Sequence, residues 1–368
     1  MLDLADDFYQ VSGAQTVLEY KDVIEAQLRT YLKSGFQLLS INDFTGQGYA
    51  PVGILDPFWN SKGLITPEKF REFCAPTVAL LRFPKRSYYN DEVFTGKAEV
   101  YNYSSSALKS AKFKWWVTDE SGKILKSGKL NTQNIGNNGV FPAGEFSYAL
   151  NGISAPQRLT VHLSVNNTIN NSWDIWVYPR RDLKGLMQST ADVLYTTAFD
   201  AKAKQFLAEG KKVVLCPMPA KVIGRSSNFH NHFWNPIMFK WKPMTLGCLI
   251  HAEQKMFDNF ITEKHLDWQW WDILAHAKVI EMDEAPRQLR PFIQVIDSYE
   301  TNHKLGIGFE AKVGNGKLMV LALDTKKEME KRPATQQLLV SIDRYVKSGH
   351  FNPQVDVEES FIESFLRK

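Results

Sequence analysis

The stretch DVLYTTAFDAKAKQFLAEGKKVVLCP, residues 192–217, sets the fold class of the C-terminal half of this chain. Two short apolar runs flank a segment, 200–210, in which apolar positions recur at helical spacing before Gly210. A strand, a helix and a second strand in this order predict a βαβ unit, in which a right-handed crossover joins two parallel strands. Residues 190–349 are therefore predicted to form an α/β domain with a parallel sheet.

The rest of this region continues the α/β pattern. The turn Gly314-Asn315-Gly316 joins the last two of the predicted strands into a hairpin, and a helix covers 334–347. The remaining segment, 351–368, is predicted to be either a docking helix or the start of a further domain. The further predicted strands are TLGCLI (245–250), KVIEM (278–282), FIQVID (292–297), KLGIGFEAKV (304–313) and KLMVLALD (317–324).

Residues 86–178 have a different periodicity, in which polar and apolar residues alternate over short stretches. Turn sequences such as Asn137-Asn138-Gly139 separate these stretches. The pattern, over about 90–100 residues, is typical of an immunoglobulin-like β-sandwich, although the cysteine pair of antibody domains is lacking. The alternating stretches are VFTGKAEVYNYS, AKFKWWVTD, KILKSGKLN, EFSYALN, QRLTVHLSVNN and SWDIWVYP.

The N-terminal part of the chain predicts a single α/β repeat. A helix over 15–34 precedes the apolar run FQLLSI, 36–41, which suits a buried strand. A polar loop, 42–48, follows, and Thr66 with Pro67 predicts the start of a short helix. One parallel strand has no partner of its own, so this segment is predicted to be part of a larger sheet or barrel.

Composition excludes several classes of function. The formal net charge of +4 is small for 368 residues, and basic and acidic residues are interspersed, so no nucleic-acid partner is expected. No apolar run reaches the ~20 residues of a membrane span, and the acidic N-terminus MLDLADDFYQ is not a signal peptide. Cys74, Cys216 and Cys248 are widely spaced and predict buried free thiols. No cofactor is expected.

Several segments resemble one family of multidomain enzymes. The run GFQLLSINDFTGQGYAPVGILDPFWNSKGLITPEKFREFCAPTVAL, 35–80, resembles the last strand and helix of the catalytic barrel in family 2-type, β-galactosidase-like glycoside hydrolases. NSWDIWVYP, 171–179, is similar to the end of the immunoglobulin-like domain that follows that barrel. FWNPIMF (233–239), HLDWQWWDIL (265–274) and the segment 290–318 resemble an accessory domain of the glutamine-amidotransferase type.

The resemblance implies a division of the chain and a function. It makes the chain the C-terminal segment of a carbohydrate-active glycoside hydrolase, with carbohydrate as its partner and a homo-oligomer formed through the α/β domain. It also implies a periplasmic or secreted bacterial parent. The implied parts are 1–85, the last strand and helix unit of a catalytic (β/α)8 TIM barrel; 86–179, the sandwich; 180–350, a glutamine-amidotransferase-like, flavodoxin-like α/β domain; and 351–368, a tail or the start of a further domain.

No catalytic residue is carried over from the resemblance. Retaining glycosidases use two carboxyl groups ~5–5.5 Å apart, and in this family both are glutamates at the ends of the fourth and seventh barrel strands, upstream of Met1. The chain alone is therefore expected to be inactive, whereas its parent would hydrolyse O-glycosidic bonds. The glutamates before residue 86 lie on or beside predicted helices: Glu19, Glu25, Glu68 and Glu72.

Candidate substrate-contacting residues follow the predicted buried strand. Barrel enzymes bind their substrates at the carboxyl ends of the strands. Asn42, Asp43 and Gln47 are suited to hydrogen-bond sugar hydroxyls, and Phe44 and Trp59 are suited to stack on a sugar ring. The alternative is that Asn42 and Asp43 simply order a turn.

Two further clusters each have a functional and a structural interpretation. Trp268, Trp270 and Trp271 predict a sugar platform, but three residues out of four cannot all face one way on a helix, so at least one packs inward. His230 and His232 form an H-x-H pair, which by itself is weak support for a metal site. The alternative is that they order a polar loop, and no metal is expected.

Two other hypotheses stay open. The chain is alternatively a non-enzymatic carbohydrate-binding or assembly module with an exposed aromatic platform. In a third interpretation, 190–349 is an independent α/β enzyme with a polar pocket at the strand ends, near Thr196, Thr197 and Met218. Cys216 lies close by, but no G-x-C-x-G elbow surrounds it, so it is predicted to be a structural residue.

Overall fold

The computed structural model describes residues 2–30, 36–38, 40–44, 53–230, 245–298 and 301–367. The chain divides into two compact units. The sandwich unit comprises Thr16–Arg180, and the α/β unit comprises Met1–Gln15 together with Arg181–Lys368. The mixed α/β, multi-sheet character expected from the sequence is confirmed.

Among the described residues, two α-helices come before the first strand. They are α1 (Ala5–Leu28) and α2 (Pro67–Arg71). α1 begins at Ala5 instead of at the predicted residue 15, because acidic residues in its first turn favour a helix N-terminus and Val11 packs against Leu249 and Ile296. α2 begins where the sequence predicts, since the Thr66 hydroxyl accepts a hydrogen bond from the Lys69 N–H (3.3 Å).

The described residues of the sandwich unit form eight strands in two sheets. In chain order the strands are β1 (Thr77–Arg82), β2 (Ser87–Tyr89), β3 (Val93–Asn102), β4 (Leu108–Thr118), β5 (Ile124–Ile135), β6 (Gly139–Ala149), β7 (Gln157–Val165) and β8 (Ile169–Tyr178). One sheet has the order β1-β3-β6, and the other has the order β2-β8-β7-β4-β5. β2 and β8 pair in parallel, and the other ladders are antiparallel.

The two sheets pack face to face over one hydrophobic core. Alternate residues of each strand point inward, as the burial of Phe94 and Ala98 in β3 and of Phe113 and Trp115 in β4 shows. The stacked rings of Trp115 and Phe146, with centroids 4.4 Å apart, join one sheet to the other. A two-sheet sandwich is therefore present where the alternating pattern predicts it.

The structure changes two details of the N-terminal prediction. β1 lies within the segment 1–85 but pairs antiparallel with β3, so the sandwich begins at Thr77 instead of at residue 86. The buried strand predicted at 36–41 is not formed by the described residues of that run, whose side chains are exposed or half-buried. An apolar run becomes a strand only where a neighbour supplies hydrogen bonds, and the described pairing nearby is an isolated bridge between Asn42 and Leu55.

The described residues of the α/β unit form eight strands and four further helices. The strands are β9 (Val193–Thr196), β10 (Lys212–Leu215), β11 (Arg225–Ser226), β12 (Cys248–Ile250), β13 (Lys278–Glu281), β14 (Ile293–Val295), β15 (Leu305–Val313) and β16 (Gly316–Leu321). The helices are α3 (Ala201–Ala208), α4 (Trp270–Ala275), α5 (Pro333–Lys347) and α6 (Glu359–Ser364).

The sheet of this unit is mixed, with more antiparallel pairing than the predicted parallel sheet and terminal hairpin. β9, β10 and β16 are parallel neighbours, and α3 is the predicted crossover between the first two. The remaining ladders are antiparallel. The predicted hairpin accounts for part of this antiparallel pairing, because the turn at Gly314 (φ 56°) makes β15 run against β16.

Helices cover this sheet and extend its core. Leu207 of α3 and Phe361 and Ile362 of α6 share one hydrophobic core with Val213 and Leu318 of the sheet. The described residues of 351–368 therefore include a docked helix that belongs to the α/β unit. None of the helices in the described part of the chain has the length and apolar character needed to cross a membrane.

Candidate functional site

The carboxyl ends of the three parallel strands open onto a pocket of about 480 Å³. Thr196 ends β9, Cys216 follows β10, and Thr325 and Lys326 follow β16. In open α/β sheets, ligands bind in the crevice outside the carboxyl ends of the strands. Thr196 and Thr197 line the pocket as the third hypothesis expects, and Met218 is not among its lining residues. These are Leu183, Leu186, Met187, Tyr195, Thr196, Thr197, Cys216, Thr325, Lys326, Met329 and Leu339.

One rim of the pocket is anchored to α5 through Asp343. The Asp343 carboxylate accepts hydrogen bonds from the Tyr195 hydroxyl (2.6 Å), the Met187 N–H (3.2 Å) and the Lys347 ammonium (2.8 Å). Burial and the neighbouring Asp343 raise the pKa of Tyr195 well above its usual value. Met187 has a φ of 52°, a left-handed conformation that is uncommon for residues other than glycine. The rim is therefore held in a strained conformation by specific bonds.

The polar groups of the pocket differ in whether they have partners. The Thr196 hydroxyl is engaged locally, because it donates to the Ala198 carbonyl (3.0 Å). Among the described residues, the Thr197 and Thr325 hydroxyls and the Lys326 ammonium have no hydrogen-bond or ion-pair partner. Within the described part of the chain, the Thr197 and Thr325 hydroxyls and the exposed Lys326 ammonium are therefore the lining groups available to a ligand.

The carboxylate of Asp324, two residues before Lys326, does not form an ion pair with its ammonium. One oxygen of Asp324 accepts the N–H groups of Lys326 (2.9 Å) and Lys327 (3.0 Å). Burial alone would raise the pKa of Asp324, but these backbone bonds and the charge of Arg332 outweigh it and lower the pKa. Asp324 is therefore ionised and engaged in ordering the turn after β16.

Cys216 is a structural thiol, in agreement with its sequence context. It is a buried lining residue of the pocket, and burial raises the pKa of its thiol to about 12. The thiol is protonated at neutral pH, whereas a nucleophilic cysteine reacts as the thiolate. Cys248 is also buried, and Cys74 is half-buried.

The three tryptophans of the segment 265–274 have different environments. Trp270 is fully buried, packs edge-on against Phe260 (5.4 Å between centroids) and donates its indole N–H to the Thr262 hydroxyl (2.9 Å). Trp271 is 46% exposed, and Trp268 is half-buried. Successive residues of a helix point in different directions, so the expectation that at least one of the three packs inward is confirmed.

Four side chains form what we call the aromatic surface: Phe229, His230, Trp268 and Trp271. The rings of Phe229 and Trp268 are stacked at 4.9 Å, and Trp268 lies 6.2 Å from Trp271 in a tilted arrangement. His230 meets Trp271 edge-on at 5.0 Å. The exposed indole of Trp271 is therefore held in place by other rings, so that it presents a rigid apolar face.

The described residues do not form a metal centre. No group of three or more His, Cys, Asp or Glu side chains in the described ranges is placed to hold a metal ion. His230 belongs to the aromatic surface, and His232 lies outside the described residues.

The predicted loop site contains both engaged and exposed side chains. Asp43 is buried, and its carboxylate accepts the Gly53 N–H (2.9 Å) and the Lys62 ammonium (2.6 Å). The Asn42 side-chain oxygen accepts the Ser40 hydroxyl (2.7 Å). These bonds fit the alternative in which Asn42 and Asp43 order a turn.

The aromatic residues of that loop site face solvent. Phe44 is exposed, and Trp59 is 65% exposed with a φ of 68°. Asp56 orders the turn that carries Trp59 by accepting the N–H groups of Phe58 and Asn60, both at 2.8 Å. Gln47 lies outside the described residues.

Sequence reasoning missed the pocket residues Met187 and Lys326, and Asp343, which anchors the rim. Lys326 had a usable signal, because it follows a predicted strand in a region assigned to a parallel sheet. Asp343 lies on a correctly predicted helix, but its role depends on Tyr195, which is 148 residues away in the sequence. Nothing in the local sequence distinguishes Met187.

Residues 194–367 match the family model of a domain of unknown function, DUF8487. This range includes nearly all of β9 and continues through α6. Residues 92–179 match the model of a second domain of unknown function, DUF8488, which spans β3 to β8. No curated protein matches the chain.

Several solved structures are similar to part of the chain. The Pseudomonas fluorescens alkylpurine DNA glycosylase AlkC, bound to DNA with an abasic site analog, is 14% identical over 28% of this chain and 31% of its own (TM-score 0.24). Escherichia coli alpha-2-macroglobulin is 18% identical over 27% and 8% (TM-score 0.23). Listeria innocua beta-glucosidase in complex with glucose is 12% identical over 28% and 17% (TM-score 0.21). At these scores none of the three bears on the function of this chain.

Proposed function

We propose that this chain is a non-catalytic, carbohydrate-binding segment of a β-galactosidase-like glycoside hydrolase. The observation that carries the proposal is the exposed ring of Trp271, which Trp268 and Phe229 support from behind. A rigid aromatic face of this kind suits the apolar C–H face of a sugar ring. The barrel interpretation of 1–85 and the amidotransferase-like interpretation of 180–350 belong to the same proposal, and the sequence resemblance supports them.

The chemistry of two buried groups favours binding over catalysis. The Glu25 carboxylate is buried and accepts hydrogen bonds from four side chains, among them Asn171 and Trp173. A general acid or nucleophile needs a carboxyl group that reaches substrate, which Glu25 does not. The protonated thiol of Cys216 is equally unsuited to attack.

Titration of the full chain with lactose and galactobiose tests the proposal. We expect saturable binding, followed by the indole N–H resonances in NMR spectra, and the Trp271 signal should shift most. Trp271→Ala removes the stacking face and is expected to weaken binding at least roughly tenfold. Trp59→Ala is the matched control, because Trp59 is a similarly exposed indole in the other unit and belongs to the predicted loop site.

The outcomes separate the candidate sites. Loss of binding in Trp271→Ala with retention in Trp59→Ala supports the aromatic surface. Loss of binding in Trp59→Ala with retention in Trp271→Ala would place the sugar site at the loop of Asn42, Phe44 and Trp59. That result would contradict the assignment to Trp271. Hydrolysis of nitrophenyl β-galactoside by the purified chain would contradict its non-catalytic character.

A further inference from the structure

We infer that the pocket at the carboxyl ends of β9, β10 and β16 binds a small organic carboxylate with an apolar body. The pocket shares no residue with the aromatic surface. The inference is therefore independent of carbohydrate binding, and either can fail without the other.

The polar groups that line the pocket suit an anionic ligand. The Lys326 ammonium has no ion-pair partner among the described residues, and the Thr197 and Thr325 hydroxyls have no hydrogen-bond partner there. Two carboxylates next to lining residues are already engaged: Asp324, which precedes Thr325, with backbone N–H groups, and Asp343 with Tyr195 and Lys347. Lys326 is exposed at the pocket, and an ammonium that lines the same pocket as two hydroxyl donors suits the hydrogen-bonding needs of one carboxylate group.

The remaining lining residues suit a ligand whose body is apolar. Aliphatic and thioether side chains form about half of the lining: Leu183, Leu186, Met187, Met329 and Leu339. Because the pocket holds about 480 Å³ and a water-sized group occupies roughly 30 Å³, a ligand of roughly ten to fifteen non-hydrogen atoms fits. A sugar would leave these apolar side chains facing hydroxyl groups, so an aliphatic chain is the better match.

The strained rim supports a ligand-binding role. Gly185 and Met187 both have positive φ values, 82° and 52°, and Met187 is held by the bond from its N–H to Asp343. Strained backbone at a non-glycine residue persists where the surroundings fix it, and such residues cluster at ligand sites. The rim is therefore already formed before a ligand arrives, which reduces the ordering that binding requires.

Calorimetric titration of the full chain with sodium butanoate, hexanoate and octanoate tests the inference. We expect binding that tightens about threefold to fourfold with each added methylene. Hexanamide has the same length but no charge, and it is expected to bind at least roughly fivefold more weakly than hexanoate. Equal binding of the amide, or no dependence on chain length, would overturn the assigned ligand class.

Two lysine variants locate the site. Lys326→Met is expected to weaken hexanoate binding at least roughly fivefold, and Lys326→Arg is expected to restore most of it. Lys327→Met is the matched control, because Lys327 is an exposed neighbour that does not line the pocket. Thermal unfolding of each variant checks that the fold is intact. Unchanged binding in Lys326→Met, equal loss in Lys327→Met, or no carboxylate binding at millimolar concentration would overturn the proposal.

Discussion

The buried cluster around Glu25 and the pocket beside β9, β10 and β16 differ in how their polar groups are satisfied. In the sandwich unit, Glu25 is 1% exposed and accepts hydrogen bonds from Arg29 (3.2 Å), Asn171 (2.9 Å), Trp173 (2.8 Å) and Lys21. In the α/β unit, the Thr197 and Thr325 hydroxyls have no partner among the described residues. Both threonines are half-buried and line the pocket, so their hydroxyls stay accessible to solvent and to a ligand, whereas a fully buried carboxylate such as Glu25 depends on protein partners.

The pKa of Glu25 shows how its partners affect the stability of the sandwich unit. Burial alone would raise the pKa of Glu25, but the charge of Lys21 and the hydrogen bonds from Lys21 and Trp173 outweigh it and lower the pKa. The folded sandwich unit therefore favours the carboxylate form of Glu25. Its stabilising contribution is complete above the pKa of the unfolded chain, 4.5, and is lost as the pH falls through the lower folded pKa.

The largest expected effect is the loss of the Glu25 cluster. Glu25→Ala leaves the half-buried Lys21 without its ion-pair partner and removes an acceptor from the side chains of Asn171 and Trp173. Removal of one partner from a buried ion pair typically destabilises a protein by about 3–5 kcal/mol. Urea unfolding at pH 7, followed by tryptophan fluorescence, measures this change in the free energy of unfolding.

Glu145→Ala is the control for that measurement. Glu145 pairs with Lys97 at 3.1 Å, but both side chains are mostly exposed, so its removal is expected to change the free energy of unfolding by less than about 0.5 kcal/mol. A change of similar size in Glu25→Ala would show that the cluster around Glu25 is not a structural core.

Elements that depend on local chemistry were predictable from the sequence. Asp200 caps α3 by accepting the Ala203 N–H (3.0 Å), and Gly210, with a φ of 76°, follows its end. Thr66 begins α2 in the same way. Such signals act within one helical turn, so no knowledge of the rest of the chain is needed.

Long-range pairing determined what the sequence did not reveal. Glu25 reads as an ordinary helix-surface partner of Lys21, and it is buried because Asn171 and Trp173, 146 and 148 residues further along, reach it. Likewise, Thr197 and Lys326 line one pocket because β9, β10 and β16 are neighbours in the sheet. The order of the strands in a sheet cannot be derived from the sequence of any single strand.

The next effect concerns a buried charge that is less well satisfied than Glu25. Lys304 is 9% exposed and donates to the Pro286 carbonyl (2.9 Å). Burial, with a contribution from the charge of Arg290, lowers its pKa from 10.5 to about 8. The charged form is disfavoured in the folded state, so the penalty is complete below pH 8 and is relieved as the pH rises. We expect the free energy of unfolding of the α/β unit to rise by about 1–3 kcal/mol between pH 8 and 10.

Lys304→Met is the control for this pH dependence, and the rise should disappear in it. Above about pH 10 the trend should reverse in both proteins, because burial also raises the pKa values of Tyr195 and Tyr345, so that the unfolded chain loses these protons first. A rise of the same size in Lys304→Met would mean that another group titrates in this range.

A smaller effect is expected at the rim of the pocket. Asp343→Ala removes the acceptor of the half-buried Tyr195 hydroxyl and of the Met187 N–H, which should lower the free energy of unfolding by about 1–2 kcal/mol. Lys347→Met removes another partner of Asp343 and leaves both of those bonds, so it is expected to change stability by less than about 0.5 kcal/mol. Hexanoate should also bind Asp343→Ala more weakly, since the rim is no longer fixed. Full affinity in that variant would show that the rim takes no part in binding.

The smallest expected change in stability concerns the two pocket hydroxyls. It tests directly whether the polar groups of the pocket, unlike those around Glu25, contribute little to the fold. Thr197→Val and Thr325→Val remove hydroxyls that have no partner in the described structure, so each should change the free energy of unfolding by less than about 0.5 kcal/mol. Thr335→Val is the matched control, because the buried Thr335 hydroxyl donates to Asp272 (2.7 Å) and its loss should cost about 1–2 kcal/mol. Urea unfolding measures all three, and titration with hexanoate measures what the pocket hydroxyls contribute to a ligand. If Thr197→Val destabilises the protein as much as Thr335→Val, its hydroxyl serves the fold, whereas unchanged stability with weakened hexanoate binding assigns it to the ligand.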